Sequence, residues 1–317
     1  MSISTAAAAA EPAIEARTRR PRRRLKAAER HEARVGALMV APAVILLVLF
    51  FFIPVILCFI LAFTNARLIA PEPAHFTGLD NFTRLFSDPV FWASLRNTFY
   101  FALVVVPVQS GFALLLALVI NVKTRGVNFF RTMYFIPVVT SIVVVSILWR
   151  FMYQPDGLVN SLLQTVTFNV VQGTDWLNNT KTAMPAIMFM SIWQAVGFHM
   201  VIWLSGLQTI PEERYEAAEL DGASTWQKFR YVTWPGLRAT RTFILVTITI
   251  AALSLFAQIN VMTAGGPLNS TTTVVYQAVR TGYQQQQTAY ASAISLIFFI
   301  LVLTVSLVQR YLTRDKD

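Results

Sequence analysis

The sequence predicts an all-α integral membrane protein with six transmembrane helices and with both termini on the cytoplasmic side. Three observations carry this reading. Hydrophobic residues make up 55% of the 317, charged residues only 13%, and the mean hydropathy is +0.54, so water is not the main solvent of the folded chain. The apolar residues fall in six blocks, each long enough to supply the roughly 20 residues of helix that cross about 30 Å of hydrocarbon. Lys and Arg are shared unequally between the two sets of loops that these blocks define.

The blocks run from about Val35 to Phe63, Asn97 to Ile120, Met133 to Tyr153, Ala183 to Leu207, Thr242 to Met262 and Ala289 to Val308. In hydrocarbon every backbone N–H and C=O must be paired within its own segment, so runs this long and apolar are helices. The alternating pattern of a membrane barrel is absent. The first block is too long for the cleaved apolar core of a signal peptide, about 7 to 15 residues, and is read as a retained helix. Before it stands a basic tail, residues 1–34, with Arg17, Arg19, Arg20, Arg22, Arg23, Arg24 and Lys26. Such a run can suggest nucleic acid. Here its place beside a spanning helix suits the cytoplasmic face, where it would lie against anionic membrane lipid, and no nucleic-acid partner is expected.

Placing the N-terminus inside puts 20 of the 26 Lys and Arg residues inside, including Lys123, Arg125, Arg131, the five from Arg214 to Arg241, Arg310, Arg314 and Lys316. Outside fall only Arg67, Arg84, Arg96, Lys181 and Arg280, with Arg150 near an outer helix end. Residues 35–317 then form one six-helix domain with a long inward loop at about 208–241.

The loops are small. The outward loop from Thr64 to Arg96 carries Pro71, Pro73, Gly78, Asp80 and Asn81, then the amphipathic stretch Phe82, Leu85, Phe86, which predicts a short helix at the membrane interface. A second outward loop, Gln154 to Thr182, is polar, with Asp156, Gly157 and Asn160. Neither holds a catalytic domain, and no GxxxxGK[ST] phosphate loop occurs, so no catalytic residue and no bound nucleotide is expected on this chain. The single Cys58 allows no disulfide or thiolate cluster, and His31, His75 and His199 are scattered, so no metal site is expected.

The inward loop reads QTIPEERYEAAELDGASTWQKFRYVTWPGLRATR from Gln208 to Arg241. Pro211 suits a helix start, with Glu212 and Glu213 at the positive end of the helix dipole. A helix over Glu212 to Leu220 is predicted, broken at Asp221 and Gly222, where glycine supplies a left-handed or closely approached backbone. A second short helix follows from Ser224, its cap, to Val232, ending before Pro235. Small Ala217, Ala218 and Gly222 permit close approach by another chain, while Glu216 and Asp221 offer charges for pairing. By itself Glu-Ala-Ala is only a good helix-forming string.

Over a longer span the loop resembles a known family. Glu216-Ala217-Ala218, three residues, Gly222, nine residues and Val232-Thr233-Trp234-Pro235 is similar to the pattern EAA, x3, G, x9, I-x-L-P of permease subunits of binding-protein-dependent ATP-binding-cassette importers. Val replaces Ile, and the bulkier Trp234 replaces Leu. Thr263-Ala264-Gly265-Gly266-Pro267, Tyr276, Tyr290-Ala291-Ser292-Ala293, Arg131 with Phe135-Ile136-Pro137, and Trp149-Arg150 resemble the carbohydrate-uptake branch. The resemblance implies a permease in a bacterial or archaeal cytoplasmic (inner) membrane, half of a heterodimer with a second homologous permease subunit. It also implies an ATPase subunit pair that carries the ATP and Mg, an extracytoplasmic solute-binding protein, and a sugar as solute. The loop becomes the coupling helix that docks on the ATPase, with Glu216, Ala217, Ala218, Asp221, Gly222 and Pro235 as its residues.

Polar groups at mid-span face a cavity or a neighbouring helix, because exposure to lipid is costly. Gln109 lies near the middle of span two and Ser141 in the upstream half of span three. Ser191, Gln194 (or Ala195) and Phe198 share a stripe in span four, and Ser254 and Gln258 share one in span five. None is charged, which suits a neutral, hydroxyl-rich solute whose apolar face Phe198 or Phe256 would cover. The other reading of these groups is glue between helices, and His199 is read that way. A secondary carrier driven by an ion gradient is the alternative function. No Asp or Glu stands inside any span to serve it.

Overall fold

Caps and prolines set where the helices start and where they bend. A computed structural model describes residues 22–69, 73–121, 127–168, 170 and 173–313. Arg17, Arg19, Arg20, Pro71, Lys123, Arg125, Arg314 and Lys316 lie outside the described residues. Contacts divide the chain into two units, one reaching Leu57 and one starting at Cys58.

α1 (Arg22–Leu47) passes through a π-turn at Val48–Phe52 into α2 (Ile53–Leu61), whose last residues, from Cys58, are counted with the second unit. Helix runs from Arg30 to Leu61, 32 residues, and none of its apolar window is buried. Hydrocarbon can cover such a surface without help from protein. The π-turn stands just before Pro54, and its bond from the Ile53 N–H to the Val48 carbonyl spans five residues. Widening the register there relieves the clash a proline ring makes with the carbonyl four residues back.

In the second unit the short helix expected around Phe82–Phe86 forms as α3 (Asp80–Ser87), with Leu85 buried, Phe82 against Phe63 and Phe86 exposed. The second span, α4 (Pro89–Ile120), starts eight residues earlier than the apolar run because Asp88 caps it, accepting from the Val90 N–H at 2.8 Å, and Pro89 opens it.

Span three is not one helix, which corrects the continuous reading from Met133 to Tyr153. It is α5 (Val127–Val139) and α6 (Ile142–Met152), bent by 95° at Thr140 and Ser141. Two hydrogen bonds explain the break. The Thr140 hydroxyl donates to the Ile136 carbonyl at 3.1 Å, competing with the helix backbone, and Gln194 Nε2 donates to the Pro137 carbonyl at 3.3 Å. Carbonyls at the break are thus satisfied from outside the backbone ladder.

α7 (Leu158–Val166) forms in the loop from Gln154 to Thr182, where no helix was expected. Asn160 organises it: Nδ2 donates to the carbonyls of Gln154, Pro155 and Thr174, and Oδ1 accepts from the Thr174 N–H and Trp176 Nε1. Span four, α8 (Ala183–Gln208), matches its expected limits to within a residue and packs against α4, α5, α6 and the fifth span.

The loop from Gln208 to Arg241 folds as α9 (Glu212–Leu220), α10 (Thr225–Lys228), a π-turn at Phe229–Thr233 and α11 (Trp234–Gly236). The expectation that the second helix stops before Pro235 is corrected. Helix continues to Gly236 because the π-turn, with Trp234 N–H bonded to the Phe229 carbonyl, shifts register just ahead of the proline, as before Pro54.

Span five is also interrupted: α12 (Arg238–Leu253) and α13 (Ala257–Met262) are separated at Ser254, Leu255 and Phe256. The Leu255 carbonyl freed there accepts from the Thr273 hydroxyl at 2.7 Å. Ser254 and Gln258 therefore do not share a continuous helical stripe, contrary to the reading by spacing. After the Gly-Gly-Pro turn, α14 (Val274–Val279) folds back on α4 and runs into a π-turn at Arg280–Gln284 that packs on the last span, both unanticipated by hydropathy. Asn97 Nδ2 donates to the carbonyls of Asn269 and Thr272, and the Val274 N–H donates to Thr98 Oγ1. α15 (Thr288–Thr313) is the last span. Among the described residues five helices are long and apolar enough to cross a membrane, and the bent α5–α6 pair, taken as one span, brings the number to six.

Candidate coupling and solute-pathway sites

The turn between α9 and α10 is a complete helix-ending motif. Gly222 has φ +73°, its N–H donates to the Glu219 carbonyl at 3.0 Å, and the Ala223 N–H donates to the Ala218 carbonyl at 2.9 Å. Ser224 then starts α10 with a reciprocal capping box: its hydroxyl accepts from the Gln227 N–H and the Gln227 side chain accepts from the Ser224 N–H at 2.7 Å. Lys228 Nζ pairs with Glu219 Oε1 at 2.6 Å across the hairpin, and Tyr215 Oη and Thr233 Oγ1 lie 3.0 Å apart at its base. The bulky Trp234 is accommodated between Phe229 and Arg241, whose guanidinium sits 4.5 Å from its ring centre.

These clasps use Glu219 and Tyr215 and leave the other motif residues outward. Glu216, Ala217, Asp221 and Gly222 are exposed, Ala218 is half-buried, and Pro235 is exposed at the base. A Cβ built on Gly222 meets nothing within 4 Å. Beside it Leu220 is 91% exposed, and Trp226 and Tyr231 also stand in the open. Leu220 thus ends a short polar helix as an exposed apolar side chain.

The candidate solute residues do not converge on one surface of the single chain. Gln109 is buried on α4 with its amide 2.9 Å from His199 Nδ1 on α8, and that Nδ1 also lies 3.0 Å from the Ala195 carbonyl oxygen. Gln109 thus joins α4 to α8, and His199 is the helix-contact residue expected. Ser191 is buried, and its hydroxyl has no hydrogen-bond partner among the described residues. Gln194 holds the break of span three, where Ser141 is the exposed first residue before α6. Phe198 is exposed. Ser254 lies at the interruption of span five, Phe256 stacks on Tyr276 with centroids 6.2 Å apart, and Gln258 is half-buried on α13. The three polar groups around the two helix breaks, Ser141, Gln194 and Ser254, stand where backbone groups escape the regular ladder, the usual place for a polar pathway in a membrane bundle.

Residues 109–317 match the family described as "Binding-protein-dependent transport system inner membrane component". The chain belongs to that family. Among its relatives are a probable ABC transporter permease protein of Pyrococcus horikoshii, 36% identical over 275 residues, covering 86% of this chain and 94% of that one. The lactose transport system permease protein of Rhizobium radiobacter is 34% identical over 285 residues, covering 89% and 94%. In fold the permease is similar to a chain of a bacterial ABC transporter involved in the import of the acidic polysaccharide alginate, with a TM-score of 0.79 and 24% identity over 92% of this chain and 98% of that one. A chain of a bacterial alginate ABC transporter in complex with an alginate pentasaccharide-bound periplasmic protein is similar in fold as well, with a TM-score of 0.79 and 24% identity over 90% of this chain and 95% of that one. The secondary-carrier reading finds no support among these relatives.

Reading the permease by sequence missed the pair Tyr215–Thr233, the bridge Glu219–Lys228 and exposed Leu220. A tyrosine on an otherwise charged helix and a leucine just before Asp-Gly were the available signals.

Proposed function

We propose that this permease forms half of the translocation pathway of an ATP-driven, binding-protein-dependent importer of a sugar or sugar-like solute. It pairs with a second homologous permease subunit, both termini face the cytoplasm, and an extracytoplasmic binding protein delivers the solute. The ATPase pair, which holds the ATP and Mg, receives the knob formed by α9 and α10. The observation that carries this reading is the knob itself: its internal polar groups are clasped while Glu216, Leu220 and Gly222 stay open for a partner. The distribution of Lys and Arg supports the orientation. The neutral polar residues and the lactose permease relative support the solute class.

Purification in mild detergent is expected to bring down an ATPase and a second six-helix chain. A homo-oligomer free of ATPase would overturn the importer reading. Changing Gln194 or Gln258 to Leu is expected to lower solute uptake severalfold while the complex still assembles. For Gln194 the loss follows from releasing the Pro137 carbonyl, a net hydrogen-bond loss of about 1 kcal/mol. Unchanged uptake in both variants would remove these amides from the pathway.

A further inference from the structure

Residues 65–68, α3 and the first turn of α15 enclose a polar cavity of about 600 Å³, whose lining includes Asn65, Arg67, Asn81, Arg84, Gln287 and Tyr290. In the orientation proposed above it opens outward. Its walls are held by hydrogen bonds that use Asn81 and Asn65, while the buried Gln287 Oε1 has no hydrogen-bond partner among the described residues. Asn81 Nδ2 donates to the carbonyls of Ala62 and Thr64 at 2.9 and 2.7 Å, and Asn65 Oδ1 accepts from the His75 N–H at 2.8 Å. The backbone is pinned on both sides of Arg67: the Leu68 N–H donates to the Gln286 carbonyl and the Ala289 N–H to the Ala66 carbonyl, at 3.0 and 2.9 Å.

Two cations remain available. The Arg84 guanidinium lies over the Tyr290 ring, 4.0 Å from its centre, an arrangement that orients the group while leaving its N–H edge free. The neighbouring carboxylate, Asp88, is already engaged by the Tyr290 hydroxyl at 2.7 Å, by Gln277 Nε2 and by the Val90 N–H. Among the described residues no carboxylate stands within 4.0 Å of Arg67 or Arg84. Two exposed arginines, one oriented on a ring and one carried on pinned backbone, match a carboxylate in charge and in paired hydrogen-bond geometry.

We infer that this cavity is an anion socket that seats an acidic side chain of the solute-binding protein. The inference rests on the importer reading and its orientation. A lipid phosphate would use the same charges, but a lipid also needs an apolar groove for its chains. Apart from Leu68, the apolar lining here is alanine.

The test uses the assembled transporter in nanodiscs of zwitterionic lipid, with ATP hydrolysis followed as solute-loaded binding protein is titrated. Arg67→Gln and Arg84→Gln are each expected to raise the half-saturating concentration of binding protein about 5- to 10-fold at an unchanged maximal rate. Added salt should weaken the parent more than either variant. Arg67 makes no ring contact, so its variant checks the socket independently of any repacking around Tyr290. Half-saturation equal to the parent in both variants overturns the socket. A shift that appears only in discs containing anionic lipid also overturns it, in favour of a headgroup site. If the binding protein fails to stimulate the parent complex at all, the importer reading falls and the socket falls with it.

Discussion

Glu216→Lys and Gly222→Val are each expected to insert in the membrane at near-parental levels and to lose most ATPase association and solute-stimulated ATP hydrolysis. Neither residue touches a span. Glu216 is exposed on α9, so reversing its charge leaves the knob intact and acts on whatever faces it. A mispaired charge in a desolvated contact costs about 2 to 5 kcal/mol, on the order of 30-fold or more in affinity. Gly222 acts differently. Its φ of +73° is a region that a β-branched residue adopts only under strain, about 1 to 3 kcal/mol, and the strain falls on the turn that closes α9. Because the space around its Cα is open in the single chain, any further steric loss must come from the docked partner. Affinity for the purified ATPase and uptake into vesicles measure both effects. Parental values for both variants would reduce the loop to an ordinary cytoplasmic hairpin.

What could be read in the sequence was what local chemistry decides. α9 spans Glu212–Leu220 as expected because Pro211 opens it and Asp221-Gly222 closes it, and Ser224 caps α10 as expected. Hydrophobic length located all six spans, and α8 to within a residue. The two interruptions were illegible for a definite reason. Thr140 and Ser141 sit in an apolar run that any hydropathy window reads as continuous, and the carbonyl at that break is satisfied by Gln194, more than fifty residues later in the chain. Likewise the Leu255 carbonyl depends on Thr273.

The same limit governs the solute residues. Spacing places Ser191, Gln194 and Phe198 on one side of α8, but it does not say which neighbour each meets. The fold buries Ser191, turns Gln194 to the Pro137 carbonyl and leaves Phe198 exposed. Gln109 shows it most plainly, since its partner His199 stands 90 residues away on a different helix. α14 escaped notice because it is only six residues long and is tied to α4 by polar contacts, through Asn97, Thr98 and the Gln277–Ser94 hydrogen bond, although Val274 and Tyr276 are buried in the core.

Gly197 is where a single methyl group is expected to do the greatest structural damage. A Cβ at this position would lie 1.9 Å from the Tyr134 carbonyl oxygen and 2.7 Å from its carbon, so α8 and α5 meet backbone to backbone. Small residues allow such approach between membrane helices, where close packing replaces the hydrophobic drive available in water. Gly197→Ala must push α5 away by an ångström or more, because the obstructing atoms belong to the main chain and cannot rotate aside. Overpacking of this kind costs about 1 to 3 kcal/mol, and a rigid backbone obstacle belongs at the upper end. The displacement also separates Gln194 from the Pro137 carbonyl, one turn along the same contact, so the break in span three loses its cap. Gly111 supplies the comparison, since a Cβ there meets nothing within 4 Å and alanine favours the helix by about 1 kcal/mol. Thermal melting in detergent should therefore show Gly197→Ala clearly destabilised and Gly111→Ala unchanged or raised, with uptake lost only in the former. If Gly197→Ala melts and transports like the parent, α5 and α8 do not approach this closely in the membrane and the support of the broken span lies elsewhere.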